Sequence, residues 1–186
     1  MAGTLSVQQI QGLASAVDPT TVTIPSGHNL IAEGNLISPG HVIQSIVHQF
    51  TNNTSTSASA TYVDVAGSSV TITTKQANSK IYLFSTCAAY CTGTCNGANI
   101  AFKRGGTLIA GVDGTTNGDA WRYLNGNTIV NMSMVMKRQF FDAPAVAAGT
   151  SLTYNIGVSR WTTGTVAINY PSYNMDSHFL IQEIAQ

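Results

Sequence analysis

Residues 128–141 read TIVNMSMVMKRQFF, and this stretch decides the fold class. Between residues 130 and 137, apolar residues stand at every second position, opposite Asn131, Ser133 and Lys137. The apolar series is Val130, Met132, Met134 and Met136. A period of two is typical of a β-strand that buries one face, because successive side chains of a strand point to opposite sides. We therefore expect a long strand here, with the three methionines packed in a core.

Outward from this stretch, similar runs recur along the chain, separated by turn signals. They are Val42–Phe50, Tyr62–Val65, Ser69–Thr73, Lys80–Tyr90, Asn99–Lys103, Thr107–Ala110, Leu152–Val158, Val166–Tyr170 and Phe179–Ile184. Arg104-Gly105-Gly106 between two of them predicts a tight hairpin. The Ser/Thr/Asn-rich residues 51–60 predict an exposed loop. About nine or ten strands with this spacing predict an all-β antiparallel sandwich.

The first 40 residues have a different pattern. A short helix is predicted after Ser6, which is a suitable N-cap, and Asp18-Pro19 ends it. Two turn signals follow, at Pro25-Ser26-Gly27 and Ser38-Pro39-Gly40. This part is too short to form a core of its own. We therefore expect residues 1–40 to be an extended or helical appendage and residues 41–186 to form the head domain.

Composition argues against several classes of function. Only 9% of the residues are charged, with eight acidic and eight basic side chains and no net charge. Nucleic-acid binding depends on clustered Lys and Arg, and the basic doublets Lys103-Arg104 and Lys137-Arg138 do not extend into a patch. No apolar run has the length that a membrane span needs, and the start of the chain lacks a signal-peptide pattern. We expect a structural or binding protein that contacts neither nucleic acid nor membrane interior.

Catalytic and metal-binding patterns are also missing from the sequence. The four histidines and eight acids form no recognisable triad, H-E-x-x-H pair or carboxylate pair. Asp113 and Asp119 share a glycine-rich loop, where turn chemistry explains them. We expect no enzymatic activity, no cofactor and no metal.

Three cysteines stand at an even spacing, at positions 87, 91 and 95. A regular strand would place all three on one face, and a structural zinc site would need a fourth ligand and a closer pair. Buried free thiols are the favoured interpretation. A Cys91–Cys95 loop disulfide is the main alternative.

Aromatic and arginine side chains on loops are the candidates for recognition. Such residues often supply binding energy at interfaces and stack on sugar rings. The candidate residues are Trp121, Arg122, Tyr123, Arg160, Trp161, Tyr170, Tyr173 and Asn174. Trp121 and Trp161 would alternatively be packing residues of the core or of a subunit interface.

Several phrases of the sequence resemble small virion proteins of tailed bacteriophages, especially of marine and cyanobacterial phages. They are TLSVQQIQGLASAVDPTTVTIPSGHNLIAEG, PGHVIQSIVHQF, YVDVAGSSVTITTKQANSKIYLFSTCAAY and the closing HFLIQEI. From Tyr62 onward, the order of strands is also similar to the jelly-roll domain of complement-type trimeric heads. The phage resemblance covers nearly the whole chain and contains no catalytic signature.

The resemblance implies a homotrimeric jelly roll in the virion, attached to other virion proteins through residues 1–40. Low charge suits packing around a threefold axis, where like charges would face their own copies. The function expected is a tail-fibre-like appendage that contacts the host surface, with a cell-surface glycan as a candidate ligand. The alternative is a capsid decoration or knob protein, or a tail adaptor, that stabilises the particle without binding a receptor.

Overall fold

The structure is a computed structural model, and it describes Ser26 and residues 38–58, 61–95, 97–110, 121–123, 129–161, 163–173 and 176–186. Contacts within the chain separate Met1–Leu36 from Ile37–Gln186. The predicted appendage falls almost wholly outside the described residues, so its helix and its boundary at residue 40 stay predictions.

Twelve strands and a short 3₁₀ helix, Pro171–Tyr173, lie within the described residues. The strands are β1 (Val42–Phe50), β2 (Thr54–Thr56), β3 (Val63–Asp64), β4 (Val70–Thr73), β5 (Lys80–Cys95), β6 (Gly97–Arg104), β7 (Thr107–Ala110), β8 (Trp121–Tyr123), β9 (Ile129–Asp142), β10 (Ser151–Arg160), β11 (Thr165–Ile168) and β12 (Ser177–Ile184). No helix in this part of the chain is long and apolar enough to cross a membrane.

Sheet A is organised around the long strand β5. On one side β5 pairs with β9 along almost its whole length, and on the other side it pairs first with β12 and then with β11. Strand β1 pairs with β12, and β2 pairs with β11. All these pairings are antiparallel, so β9 forms one edge of sheet A and β1 with β2 forms the other.

Sheet B is organised around β10 and β6, which pair with each other. The far side of β10 carries β4 and β3, and the far side of β6 carries β7 and β8. The eight main strands therefore lie in the orders β1-β12-β5-β9 and β4-β10-β6-β7. This is the strand order of a jelly roll, in which the chain alternates between two packed sheets. The prediction of an all-β antiparallel sandwich is confirmed.

The core lies between the two sheets and is filled by alternate residues of their strands. Phe102 of sheet B stacks on Phe179 of sheet A with ring centroids 5.4 Å apart, and both are fully buried. Met134 and Met136 belong to this core, and Met132 packs against it. The prediction from the alternating stretch 128–141 is therefore confirmed for the methionines.

Two boundaries differ from the prediction. Residues 54–56, expected in an exposed loop, form β2, and Thr54 and Thr56 are buried because β11 pairs with them. Strand β5 continues to Cys95 rather than ending at Tyr90. In both places the pairing partner is distant in sequence, so local composition could not reveal it.

Two buried carboxylates tie the sandwich together. Asp142, at the end of β9, accepts hydrogen bonds from Arg104 Nη1 at 2.5 Å and from the Tyr154 hydroxyl at 2.7 Å, so it joins sheet A to sheet B. Burial and the Asp142 carboxylate raise the pKa of Tyr154 well above its ordinary value. The phenol therefore stays protonated and donates to the carboxylate.

Glu183 of β12 is the second buried carboxylate, with no exposed surface. Its oxygens accept hydrogen bonds from Ser79 Oγ at 2.7 Å, from the backbone N–H groups of Lys75 and Gln76 at 2.9 and 3.0 Å, and from Gln44 Nε2 at 2.5 Å. Burial acts to raise its pKa, but these hydrogen bonds outweigh burial and hold the pKa below its usual value. The turn that follows β4 is thereby fastened to β12.

Candidate recognition site

One end of sheet B gathers residues that were predicted from two separate parts of the sequence. At the start of β6, Ala98 lies opposite Arg160 on one side and opposite Arg122 on the other. In the next row, Asn99 lies opposite Ser159 and Trp121. The 121–123 and 160–161 sets are therefore separated by one strand.

Arg160 is held at this end by main-chain and side-chain contacts. Its Nη1 donates to the Gly164 carbonyl at 3.0 Å, and its backbone N–H donates to Ala58 O at 2.8 Å. Its Nε is buried and has no hydrogen-bond partner in the structure. Because this N–H is buried, a ligand acceptor would reach it only after the surrounding groups move, and the rest of the half-buried guanidinium is the accessible donor.

Trp161 follows directly and is half-buried. Its backbone N–H donates to Gly97 O at 2.9 Å, which fixes the loop after β10 to the first residue of β6. For Trp121, Arg122 and Tyr123 the backbone pairing is described and the side chains are not. The structure therefore adds one fact about these three residues, which is that they pair with the start of β6.

The loop after β10 has little room to move, because it packs closely on the end of β5. Gly164 has a φ of +80°, and a Cβ atom there would lie 2.7 Å from Cys95 Cα. Thr163 Oγ1 also donates to Thr94 O at 2.7 Å. The candidate site thus stands beside the end of β5, where Thr163 and Gly164 approach Thr94 and Cys95.

The cysteines correct the favoured sequence interpretation. Cys91 and Cys95 form a disulfide, with Cα atoms 5.5 Å apart, and only Cys87 is a free thiol. In a regular strand, four residues span about 13 Å. A register shift between Cys91 and Thr94, with Gly93 at φ +67°, shortens that span and brings the two sulfurs together. Burial raises the pKa of the Cys87 thiol to about 12, so this thiol is unreactive at neutral pH.

The other predicted residues lie elsewhere. Tyr170 follows β11 on sheet A and stacks on Tyr90 of β5, with ring centroids 4.5 Å apart. Tyr173 ends the 3₁₀ helix, and its side chain is not described. Asn174 lies outside the described residues. The structure therefore joins five of the eight candidates at one end of sheet B and places Tyr170 on the other sheet.

Asn99 is a residue at this end that the sequence did not single out. It is 4% exposed, and its Oδ1 has no hydrogen-bond partner. Because Asn99 is paired with Ser159 and Arg160 is paired with Ala98, the Asn99 and Arg160 side chains point to opposite faces of sheet B. Among the residues described here, no group of three or more His, Cys, Asp or Glu side chains could hold a metal ion.

A second surface, the outer face of sheet A, carries exposed apolar side chains. Two neighbouring rows cross its four main strands, and none of their eight residues is charged. They are Val47, Leu180, Phe84 and Gln139 in one row and Ser45, Gln182, Tyr82 and Phe141 in the other. We call these eight residues the two-row patch. From the alternation in the sequence, one can predict that these residues share a face of their own strand. One cannot predict which of them become neighbours across strands.

Comparisons with known proteins identify no family. No family model and no curated protein matches the chain. Solved structures that are similar include dimeric latent PorU from Porphyromonas gingivalis, with 10% identity, a TM-score of 0.37 and coverage of 90% of this chain and 15% of that one.

Two structures from infectious bursal disease virus are also similar. The Gx strain structure shows 16% identity and a TM-score of 0.33 and covers 86% of this chain and 42% of that one. The VP2 subviral particle shows 12% identity and a TM-score of 0.34 and covers 88% and 46%. The chain thus spans less than half the length of these matches. Likenesses at this level carry no assignment of function.

Proposed function

We propose that this chain is a non-enzymatic structural protein of a virus particle, built as a homotrimer whose sheet B end contacts the host surface. The observation that carries the proposal is the joining of residues 121–123 with Arg160 and Trp161 around the start of β6. Aromatic and arginine residues supply most hot-spot energy at interfaces. Their convergence from separate parts of the chain favours recognition over incidental surface composition.

The chemistry of the site favours a glycan of the host cell surface as the ligand. Sugar rings offer hydroxyl groups that both donate and accept hydrogen bonds, and apolar faces that stack on aromatic rings. Arg160 and Trp161 are both half-buried and are neighbours along the chain, so they offer a guanidinium and an aromatic ring at one end of sheet B. A strongly anionic ligand is less suited, because the chain carries no net charge to attract it.

Binding of the purified full chain to host cells tests this function. We expect Trp161→Ala and Arg160→Gln each to weaken binding at least tenfold, which is the loss of about 1.4 kcal/mol typical of a hot spot. Leu108→Ala is the matched control, because Leu108 is exposed on β7, opposite Lys103 near the other end of β6, and should leave binding unchanged. Circular dichroism should show the same strand signal in all variants.

The alternative role, as a decoration protein or tail adaptor, gives the opposite result. The chain would then bind emptied particles and ignore cells, and Trp161→Ala would not change its affinity for particles. That outcome would contradict host recognition and leave a purely structural role in the particle. Release of sugars from host glycan by the purified chain would contradict the non-enzymatic proposal.

A further inference from the structure

The outer face of sheet A exposes apolar side chains at both of its margins. Among the described residues, six large apolar side chains are exposed, and four of these lie on the edge strands of sheet A: Val42 and Val47 on β1, and Val135 and Phe141 on β9. Val47 is 72% exposed and Phe141 is 57% exposed. Clusters of this kind mark interaction surfaces more often than single exposed residues do.

The two-row patch connects these margins without interruption by charge. Leu180, Phe84 and Tyr82 lie between Val47 and Phe141 and are half-buried. Phe141 packs on the Tyr82 ring with centroids 4.8 Å apart, and the Tyr82 hydroxyl donates to Gln139 Oε1 at 3.1 Å. A groove lined in part by Phe84, Lys137, Arg138 and Gln139 opens on the β9 side. The side chains of the patch are therefore held by contacts with one another, and the surface beside them is grooved rather than flat.

We propose that this face of sheet A binds further copies of the same chain, with the β9 margin of one copy against the β1 margin of the next. The proposal rests on the homotrimer of the proposed function and specifies which surface forms it. A cyclic oligomer of three needs two different surfaces on each subunit, whereas a twofold dimer needs one surface that matches itself. The exposed apolar side chains at two opposite margins of sheet A provide the two different surfaces that a cyclic trimer needs.

The polarity of the patch favours a copy of the chain over a charged partner. Its polar members, Ser45, Gln139 and Gln182, each can donate and accept hydrogen bonds, so identical surfaces can meet without conflict. The ionisable side chains in the adjacent rows are His178 and Lys137 on one side of the patch and Lys80, the first residue of β5, on the other. With few charges on this face, two copies meet with little like-charge repulsion.

The area of this face is also large enough to contribute to a stable interface between two copies. Four strands about 4.8 Å apart and about seven residues long cover roughly 450 Å² in projection, before side-chain relief is added. Each partner in a standard interface contributes about 800 Å², so this face supplies a large part of such an interface. The β9 edge adds to it, since β9 has no strand partner on its far side among the described residues.

The mass of the full chain in solution, measured by sedimentation equilibrium, tests the proposal. We expect three chain masses for the wild type and one chain mass for Val47→Glu and for Phe141→Lys. The double variant V47E/F141K should regain three chain masses, because each interface then joins a Glu to a Lys. V47E/F141E should stay monomeric. Val63→Glu on sheet B is the matched control and should stay trimeric.

Each outcome separates this proposal from the proposed function. A trimer that survives both single substitutions would overturn the assignment of this face and leave the homotrimer intact. A wild type that remains monomeric at high concentration would overturn both, and would mean that another virion protein covers the patch. Failure of the double variant to regain mass, with both singles folded by circular dichroism, would overturn the contact between opposite margins.

Discussion

The two outer faces of the sandwich differ in chemistry, although both sheets share one core. On sheet B, outward hydroxyls of β4 and β10 bond across the strands, Thr71 with Thr153 at 2.8 Å and Thr73 with Ser151 at 3.0 Å. The outer face of sheet A also has polar pairs, such as Gln182 with Ser45 at 3.4 Å, but it holds Val47, Phe84 and Phe141 beside them. A face whose polar groups satisfy one another can remain in water, whereas an apolar face gains free energy when it is covered.

The comparison teaches that one alternation pattern can serve two purposes. In a strand that faces water, the second face is polar, as in β4 and β10. In β5 and β9 the second face is itself partly apolar. This is the pattern of a strand buried on both sides, and among the described residues only one side is covered. The predictions below test this difference, beginning with the contact whose loss affects both sheets.

The largest effect is expected at Glu183, which fastens the turn after β4 of sheet B to β12 of sheet A. Glu183→Ala leaves the N–H groups of Lys75 and Gln76 without an acceptor, while the Ser79 hydroxyl retains the Gln76 carbonyl. We expect a loss of about 3 to 5 kcal/mol in the free energy of unfolding, measured with urea. Glu183→Gln keeps one acceptor oxygen and should cost less. Equal stability of E183A and wild type would show that the fastening is unimportant.

The same residue makes stability depend on pH. Its folded-state pKa lies below its value in the unfolded chain, which is about 4.3. The stabilisation is therefore complete above about pH 5 and is lost as pH falls through the folded-state pKa. We expect the wild type to lose stability on acidification more steeply than Glu183→Gln, in urea titrations from pH 7 to pH 3. Parallel pH profiles would contradict this.

A smaller effect is expected at Asp142, which joins the β9 edge of sheet A to sheet B. Asp142→Asn removes the charge from hydrogen bonds to Arg104 and Tyr154 and should lower the free energy of unfolding by about 2 kcal/mol. Asp176→Asn is the control, because this exposed carboxylate accepts a single hydrogen bond from the described residues, that of Gln49 Nε2. We expect it to change stability by less than about 0.5 kcal/mol. A similar cost for both would mean that the link between the sheets adds nothing.

The smallest effects compare the two faces directly. The double substitution T71V/T153V removes one hydroxyl pair from sheet B and should change stability by less than about 1 kcal/mol, with no change in mass. Val47→Thr on sheet A should leave the monomer folded and weaken association about fivefold, since about 1 kcal/mol of apolar burial is lost. Dilution series in the ultracentrifuge measure both. If T71V/T153V on sheet B dissociated more strongly than Val47→Thr on sheet A, sheet B rather than sheet A would be the face that binds other copies.

Much of this fold could be predicted from residues alone. The alternation at Met132, Met134 and Met136 correctly identifies a buried face, and Arg104-Gly105-Gly106 correctly identifies a hairpin, because both signals are local. The burial of Thr54 and Thr56 could not be predicted, because it depends on pairing with β11, more than a hundred residues away. The Cys91–Cys95 disulfide depends on a bulge whose only local signal is Gly93.

The sequence could predict which residues belong to the candidate site, but not where on the fold they come together. Composition identified Trp121 and Trp161 as candidates, but nothing in the spacing shows that β6 lies between their strands. The two-row patch was missed for a similar reason. Val47 and Phe141 each look like ordinary strand residues, and only the register of β1, β12, β5 and β9 aligns them on one surface.

Cryo-electron microscopy of the intact virion tests the central claim most directly. The account predicts density at the tail for groups of three jelly rolls, with the two-row patches covered between neighbouring copies and the β6 start, with Arg160 and Trp161, facing outward. Copies on the head shell, or copies whose two-row patch faces solvent while sheet B is covered, would contradict the account.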